Sequence, residues 1–244
     1  MDGTHIMATG DAEALKQLLV EEQYPKHPLG YGILDVVLGN GLVLSTGALW
    51  HRQRKLITPS FHFAQLKLMH TAIVAEGEEM VARLRALPLS PTDFGGRETV
   101  NAAEFFSSVT LAVIVETSFG GLLDPTEVAD HWRKLNSAFN LYAITRMSLG
   151  KNVNDMIPLP SNKTVHTESN ALRALVRDAI VKRRGLIAES EARGISVTAK
   201  DLLTSLLQAR DEDGNGMDEN LLIEESLTFL FAGHDVRRQN APPT

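Results

Sequence analysis

Apolar residues recur at three- and four-residue intervals through most of this chain and seldom alternate with polar ones. That periodicity predicts helices and leaves minimal strand content. The clearest run is Glu219 to Asp235, ENLLIEESLTFLFAGHD. Leu222, Ser226, Phe229 and Gly233 share one face of the predicted helix, and Ile223, Leu227 and Leu230 the next. Residues 227–232 are almost wholly apolar, which suits a helix buried on all sides. Gly233, His234 and Asp235 then bring in small and polar groups, marking either a capped end or a functional kink. The polar tail over residues 236–244 continues no pattern and is expected to be disordered.

Earlier in the chain, Asp11 is placed to cap a short helix with the stripe Leu15, Leu18 and Leu19. Residues 33–38 are a brief apolar segment that ends at the turn Gly39-Asn40-Gly41. Ser45 or Thr46 is expected to cap a helix through Trp50 and Arg54, closed by Thr58-Pro59. The next predicted helix carries Leu66, Met69, Ile73, Gly77, Met80, Val81 and Leu84, and ends at Pro88 and Pro91. Asn101 and Glu104 have capping-box spacing ahead of residues 105–119, predicted as the central buried helix and closed by Gly120-Gly121. Asp124-Pro125 opens a helix with Val128, Trp132, Leu135, Phe139 and Tyr142 on one face. Beyond Pro158 and Pro160 a long helix carries Leu172, Leu175, Val176, Ala179, Ile180 and Ile187. Thr198 with Asp201 opens a short one through Leu202, Leu203, Leu206 and Leu207. The expected fold is all-α, in one domain over residues 1–244.

A chain of 244 residues can bury a sizeable core, and 43% hydrophobic with 22% charged residues is ordinary for a globular protein. A net charge of −6 lends no bulk support to a nucleic-acid partner. With no cysteine, these residues supply no disulfide, no thiolate ligand and no cysteine nucleophile. The start, MDGTHIMATGD, lacks the regions of a secretory signal, and no apolar run is long enough to span a bilayer.

Asp211-Glu212-Asp213-Gly214-Asn215-Gly216 matches the opening of a calcium loop, but position twelve, a bidentate glutamate in such loops, is Leu222. An exposed acidic interhelical loop is the competing reading. Trp50 and Arg54 are four residues apart and share a helix face, with Arg52 and Lys55 on a neighbouring cationic side. An indole N–H and a guanidinium aimed at one place suit a carboxylate or phosphate, and a solvated basic face is the alternative. His51, His62 and His70 share no ligand face, His131 and His166 are expected at the surface, and Lys182-Arg183-Arg184 reads as a solvated helix face. No metal motif, nucleophile elbow, phosphate loop or dinucleotide fingerprint is present.

Three stretches together resemble the cytochrome P-450 (haem-thiolate monooxygenase) family. Residues 38–67, LGNGLVLSTGALWHRQRKLITPSFHFAQLK, resemble the segment running into that family's helix C. DLLTSLLQARDEDGNG, residues 201–216, is similar to the segment before helix I, and LTFLFAGHD, residues 227–235, to helix I up to its oxygen-binding kink. The wording is nearest the eukaryotic microsomal branch that hydroxylates fatty acids and related lipids. The resemblance covers residues 8–235, the helix B to helix I part of the fold, with residues 236–244 outside it.

By that resemblance the cofactor is haem, Trp50 and Arg54 hold one of its propionates, and Ala232 and Gly233 are the small residues beside the oxygen site. Asp235 matches the acid that helps deliver protons, while Val236 stands where the family has a threonine and can relay none. Ala232 also stands where some lipid hydroxylases carry a haem-esterifying glutamate. The implied partners are an apolar small-molecule substrate and an NADPH-dependent reductase, without nucleic acid, and the family's location is the endoplasmic reticulum membrane. No Glu-x-x-Arg and no cysteine occurs, so the chain is expected to be part of such an enzyme and inactive alone. Without the family's anchor it would be cytoplasmic. A valine codon at 236 also fits read-through into an intron, testable at the genomic splice boundary. A non-catalytic helical fragment that binds an apolar ligand or a partner chain is the other expectation, and a calcium-responsive helical protein a third.

Overall fold

A computed structural model of the chain describes residues 8–21, 24–86 and 101–235, except the side chains of Leu29, Ala103, His234 and Asp235. Among the described residues there is no strand, so the fold is all-α. The helices are α1 (Ala12–Lys16), α2 (Pro28–Tyr31), α3 (Asp35–Leu38), α4 (Gly47–Ile57), α5 (Phe63–Arg85) and α6 (Ala102–Phe119). They continue as α7 (Pro125–Leu149), α8 (Lys151–Met156), α9 (Pro160–Ala192), α10 (Leu202–Gln208) and α11 (Glu219–Asp235). No helix among the described residues is long and apolar enough to cross a membrane. The segments with Pro88 and Pro91 and with residues 236–244 lie outside the described residues.

One core holds these helices together. α11 enters it with Leu222, Ile223, Leu227 and Leu230, none more than 1% exposed, and packs on α6, α9, α3 and α10. α7 pairs with α9 most extensively, through Val128, Trp132 and Leu135 against the stripe Leu172, Val176, Ala179 and Ile180. Each apolar side chain so buried contributes about 1.5–3 kcal/mol of transfer free energy. Asp124 caps α7, its carboxylate accepting the Thr126 N–H at 2.8 Å. Pro160 opens α9, where a missing N–H costs nothing.

Several expectations are corrected. The stripe of α5 is not a buried face: only Met69 is buried, and Leu66, Ile73, Val81 and Leu84 are each more than a third exposed. Leu15, Leu18 and Leu19 are exposed as well, so the stripe of the short N-terminal helix is not a buried face either. α6 begins at Ala102 and is buried only in its second half, from Leu111 to Phe119, while Phe106 is 38% exposed. Thr46 is the N-cap residue of α4, as one of the two expected positions, but its side chain makes no capping hydrogen bond, and the Ser45 hydroxyl donates to the Gln53 carboxamide. Asp201 is itself the cap of α10, accepting the Thr204 N–H at 2.8 Å and its hydroxyl at 3.1 Å.

Arg183 departs from the solvated-face reading. It leaves the surface of α9 to donate to the Phe119 carbonyl at 2.8 Å and to pair with the buried Asp201 at 3.2 Å, which fastens α9 to the ends of α6 and α10. His131 is half-buried, its Nδ1 2.6 Å from Glu168, and His166 lies edge-on to the ring of Tyr142. Arg146, buried on α7, donates to the Tyr142 hydroxyl and to Asp35 at 2.7 Å, tying α3 to α7.

Replacing Asp201 with alanine removes a cap and leaves the Arg183 guanidinium without its buried acid. Urea unfolding should show a loss of about 2–4 kcal/mol. A loss under about 0.5 kcal/mol would contradict the role given to this pair.

Candidate functional site

α4 splits its basic residues between two tasks. Arg52 turns to the 211–216 loop, where it donates to Asp211 at 2.9 Å and to the Gly216 carbonyl at 3.0 Å. Lys55 pairs with Glu212 on the same loop. Asp211 also accepts the N–H groups of Asn215 at 2.8 Å and Asp213 at 3.2 Å, and the Asn215 N–H and the Arg52 guanidinium hold its carboxyl below the usual range. The acidic loop thus docks α4, and the cationic side of α4 is not simply solvated.

Trp50 and Arg54 lie on the other side. Trp50 is half-buried with its ring edge-on to His51 at 5.0 Å. Arg54 is exposed, and among the described residues its guanidinium has no acid or carbonyl partner. A guanidinium left without an anion one turn from an indole, while its neighbours are both paired, is an anion-binding arrangement.

α11 carries the second half of the site. Phe229 lies one turn before Gly233, and its ring meets Phe61, just past the end of α4, at 5.6 Å. That contact joins the end of α4 to the Ala232–Gly233 end of α11. The two small residues divide: a Cβ on Gly233 would stand 2.7 Å from Ile114 Cγ1 on α6, so its size serves the helix crossing. Ala232 is exposed and is the small residue open to a ligand. α11 runs on as helix to Asp235, whose side chain, with all of Val236, lies outside the described residues.

With this geometry in place, the sequence pattern of the cytochrome P450 family matches residues 1–236. The chain belongs to the cytochrome P450 family. It is 28% identical over 243 residues to cytochrome P450 4d8 of Drosophila melanogaster, covering 94% of this chain and 51% of that protein. Probable cytochrome P450 4s3 of the same organism is 29% identical, over 92% of this chain and 46% of its own length. The human ultra-long-chain fatty acid omega-hydroxylase is 28% identical, over 86% of this chain and 40% of its own. The chain thus spans about half the length, or less, of these cytochrome P450 relatives.

Membership implies haem as the cofactor. The described residues fit one end of it, with the unpaired Arg54 guanidinium and the Trp50 indole for a propionate, while no cysteine in this sequence serves the iron.

Periodicity alone passed over one residue of this P450 chain. Glu225 is 0% exposed on α11, with one oxygen accepting the Leu42 N–H at 3.1 Å and the other unpartnered among the described residues. Burial pushes its carboxyl up to about 7, the adjacent Glu224 adds to the rise, and the Leu42 N–H works against it. A signal existed: an acid three residues after Leu222 and four before Phe229 stands on the apolar face.

Two outcomes follow from these contacts. The folded chain keeps the Glu225 proton up to about pH 7, whereas the unfolded chain loses it near 4.5. Between those values the folded state binds more protons, so stability falls as pH rises. Glu225→Gln should remove that slope and be more stable than the parent at pH 8 by about 2–3 kcal/mol, measured by urea unfolding at pH 5 and 8. Equal slopes would contradict the assignment. Gly233→Ala should cost about 1–3 kcal/mol, and much less in an Ile114→Ala background. Additive effects of the two substitutions would contradict the α6–α11 contact.

Proposed function

We propose that the chain is part of a haem-dependent monooxygenase that inserts one oxygen atom of O2 into an apolar, fatty-acid-like substrate, with electrons from an NADPH-dependent reductase. The observation that carries this is Arg54, exposed and without an anion among the described residues, one turn from Trp50. The name of the human relative, an omega-hydroxylase of fatty acids, supports the substrate class.

In this reading Arg54 binds a haem propionate through charge-assisted hydrogen bonds, and the indole N–H of Trp50 donates to the same group. Bound haem supplies the activation of O2, and the protein's share is orientation and proton delivery. Ala232 lets a flat ligand approach the α11 backbone, and Gly233 keeps that backbone close to α6. Asp235 accepts and hands on protons near the end of α11, and Val236 beside it has no group to relay them. Since none of the 244 residues is a cysteine, the chain by itself is expected not to turn over.

Phe63 and Met156, each 83% exposed, favour a second reading in which an apolar ligand or partner chain covers such surfaces and no catalysis occurs.

Haemin titration of the purified chain separates the readings. Arg54→Ala should weaken haemin binding about tenfold, and Arg193→Ala, at the exposed end of α9, less than twofold. Equal effects would remove the propionate role. No oxidation of a long-chain fatty acid is expected from chain, haem and reductase together; turnover would overturn the inactivity.

A further inference from the structure

The 39–45 loop between α3 and α4 is fastened on both sides. Towards α11, Gly39 has φ +56° and lies against the Glu224 carboxylate, where any Cβ would collide. Gly41 lies against the Thr228 hydroxyl, a Cβ there standing 2.9 Å from the Glu224 carbonyl. The Leu42 N–H reaches Glu225 at 3.1 Å. Towards α4, Gln53 takes the Ser45 hydroxyl and donates to the Asn40 carbonyl at 2.8 Å. Gln53 adjoins Arg54 and follows Trp50 by three residues. Lys26 closes the loop by donating to the carbonyls of Leu42 at 3.2 Å and Ser45 at 2.9 Å.

We propose that Glu225 is a positioning residue for α4: the 39–45 loop closed on α11 accommodates its neutral carboxyl, and ionisation of this buried group favours an opened, hydrated loop despite the stronger bond that the Leu42 N–H makes to a carboxylate. This rests on the reading of Trp50 and Arg54 as the propionate site. An ionised Glu225 would be buried with a single N–H donor, beside the like charge of Glu224. The cations nearby are committed elsewhere. Lys26 is held by the two loop carbonyls, and Arg173 on α9 by the Val37 carbonyl at 3.0 Å and Glu224 at 3.8 Å. Around α11, Asp35 on α3 is paired with Arg146 and Lys151, Asp201 at α10 with Arg183, and Glu219 with Arg177 and Arg184. Glu116 is the acid on the buried half of α6. Opening the loop lets water reach the carboxylate, so the open form gains as pH rises.

Hydrogen exchange of the full chain at pH 5.5 and 8.5, corrected for intrinsic rates, tests this. Protection of the Leu42 amide and of α4 should fall on the order of tenfold at the higher pH, with α9 unchanged. Glu225→Gln should show the same protection at both. A pH-independent Leu42 amide in the parent chain, or a persisting fall in the variant, would overturn the proposal. The parent chain decides the matter even if the variant does not fold, because carbon-13 titration of the Glu225 carboxyl and Leu42 exchange must share a midpoint. Separate midpoints would overturn it. Haemin affinity should weaken at pH 8.5 in the parent only. A latch with unchanged haemin affinity removes the positioning role, and a latch in a chain that binds no haemin leaves the clamp standing and sinks the functional reading alone.

Discussion

Burial of α11 is the constraint on which the rest of the structure depends. Leu222, Ile223, Leu227 and Leu230 meet α3, α6, α9 and α10, so one helix is common to most of the core. A helix surrounded in this way can admit a polar group only where a neighbour satisfies it. Ser226 and Thr228 have hydroxyls able to bond back to their own helix, and Thr228 does so, to the Glu224 carbonyl at 2.8 Å. Glu225 has no such local answer. Among the described residues its one partner is the backbone of the 39–45 loop, which draws that loop, and with it the start of α4, onto α11.

The arrangement of the candidate site is a consequence. α4 is held at three places: by Gln53 to the loop, by Arg52 and Lys55 to the 211–216 segment, and by Phe61 to Phe229. With those groups committed, Trp50 and Arg54 are what the helix presents outward. Surface ion pairs such as Lys55 with Glu212 contribute little each, so the seating of α4 rests more on the half-buried Arg52–Asp211 pair and the aromatic contact.

Helices with a single apolar stripe facing the core were legible in the sequence. α7 and α9 bury most of the residues their periodicity names, with Phe139, Leu175 and Ile187 half-buried, and the two faces of α11 do the same apart from the half-buried Phe229 and Gly233. The stripe on α5 predicted the helix but not its burial, because periodicity records amphipathicity and not whether a partner lies opposite; among the described residues only Met69 on that helix is buried. Cap chemistry was legible at α10, where the spacing named Asp201 beside Thr198 and Asp201 is the cap, but not at Ser45, whose hydroxyl goes to Gln53, a partner that spacing cannot rank. Arg183 read as a solvated charge because its acid, Asp201, is 18 residues away in sequence and meets it only in the fold. That Trp50 and Arg54 share one face of α4 was readable from spacing. That Arg52 and Lys55 would be drawn to the acidic loop, leaving the Arg54 guanidinium without a partner among the described residues, depended on contacts between distant segments.

The central claim is that α4 and α11 present the two halves of one haem-binding face. Ferric haem is paramagnetic and broadens the NMR signals of nuclei near it, so haemin added to the isotopically labelled chain reads this directly. The amides around Trp50 and Arg54 and those around Phe229, Ala232 and Gly233 should broaden together, with the far end of α9 near Glu189 unaffected. Broadening confined to one of the two helices, or spread evenly over the chain, would contradict the claim.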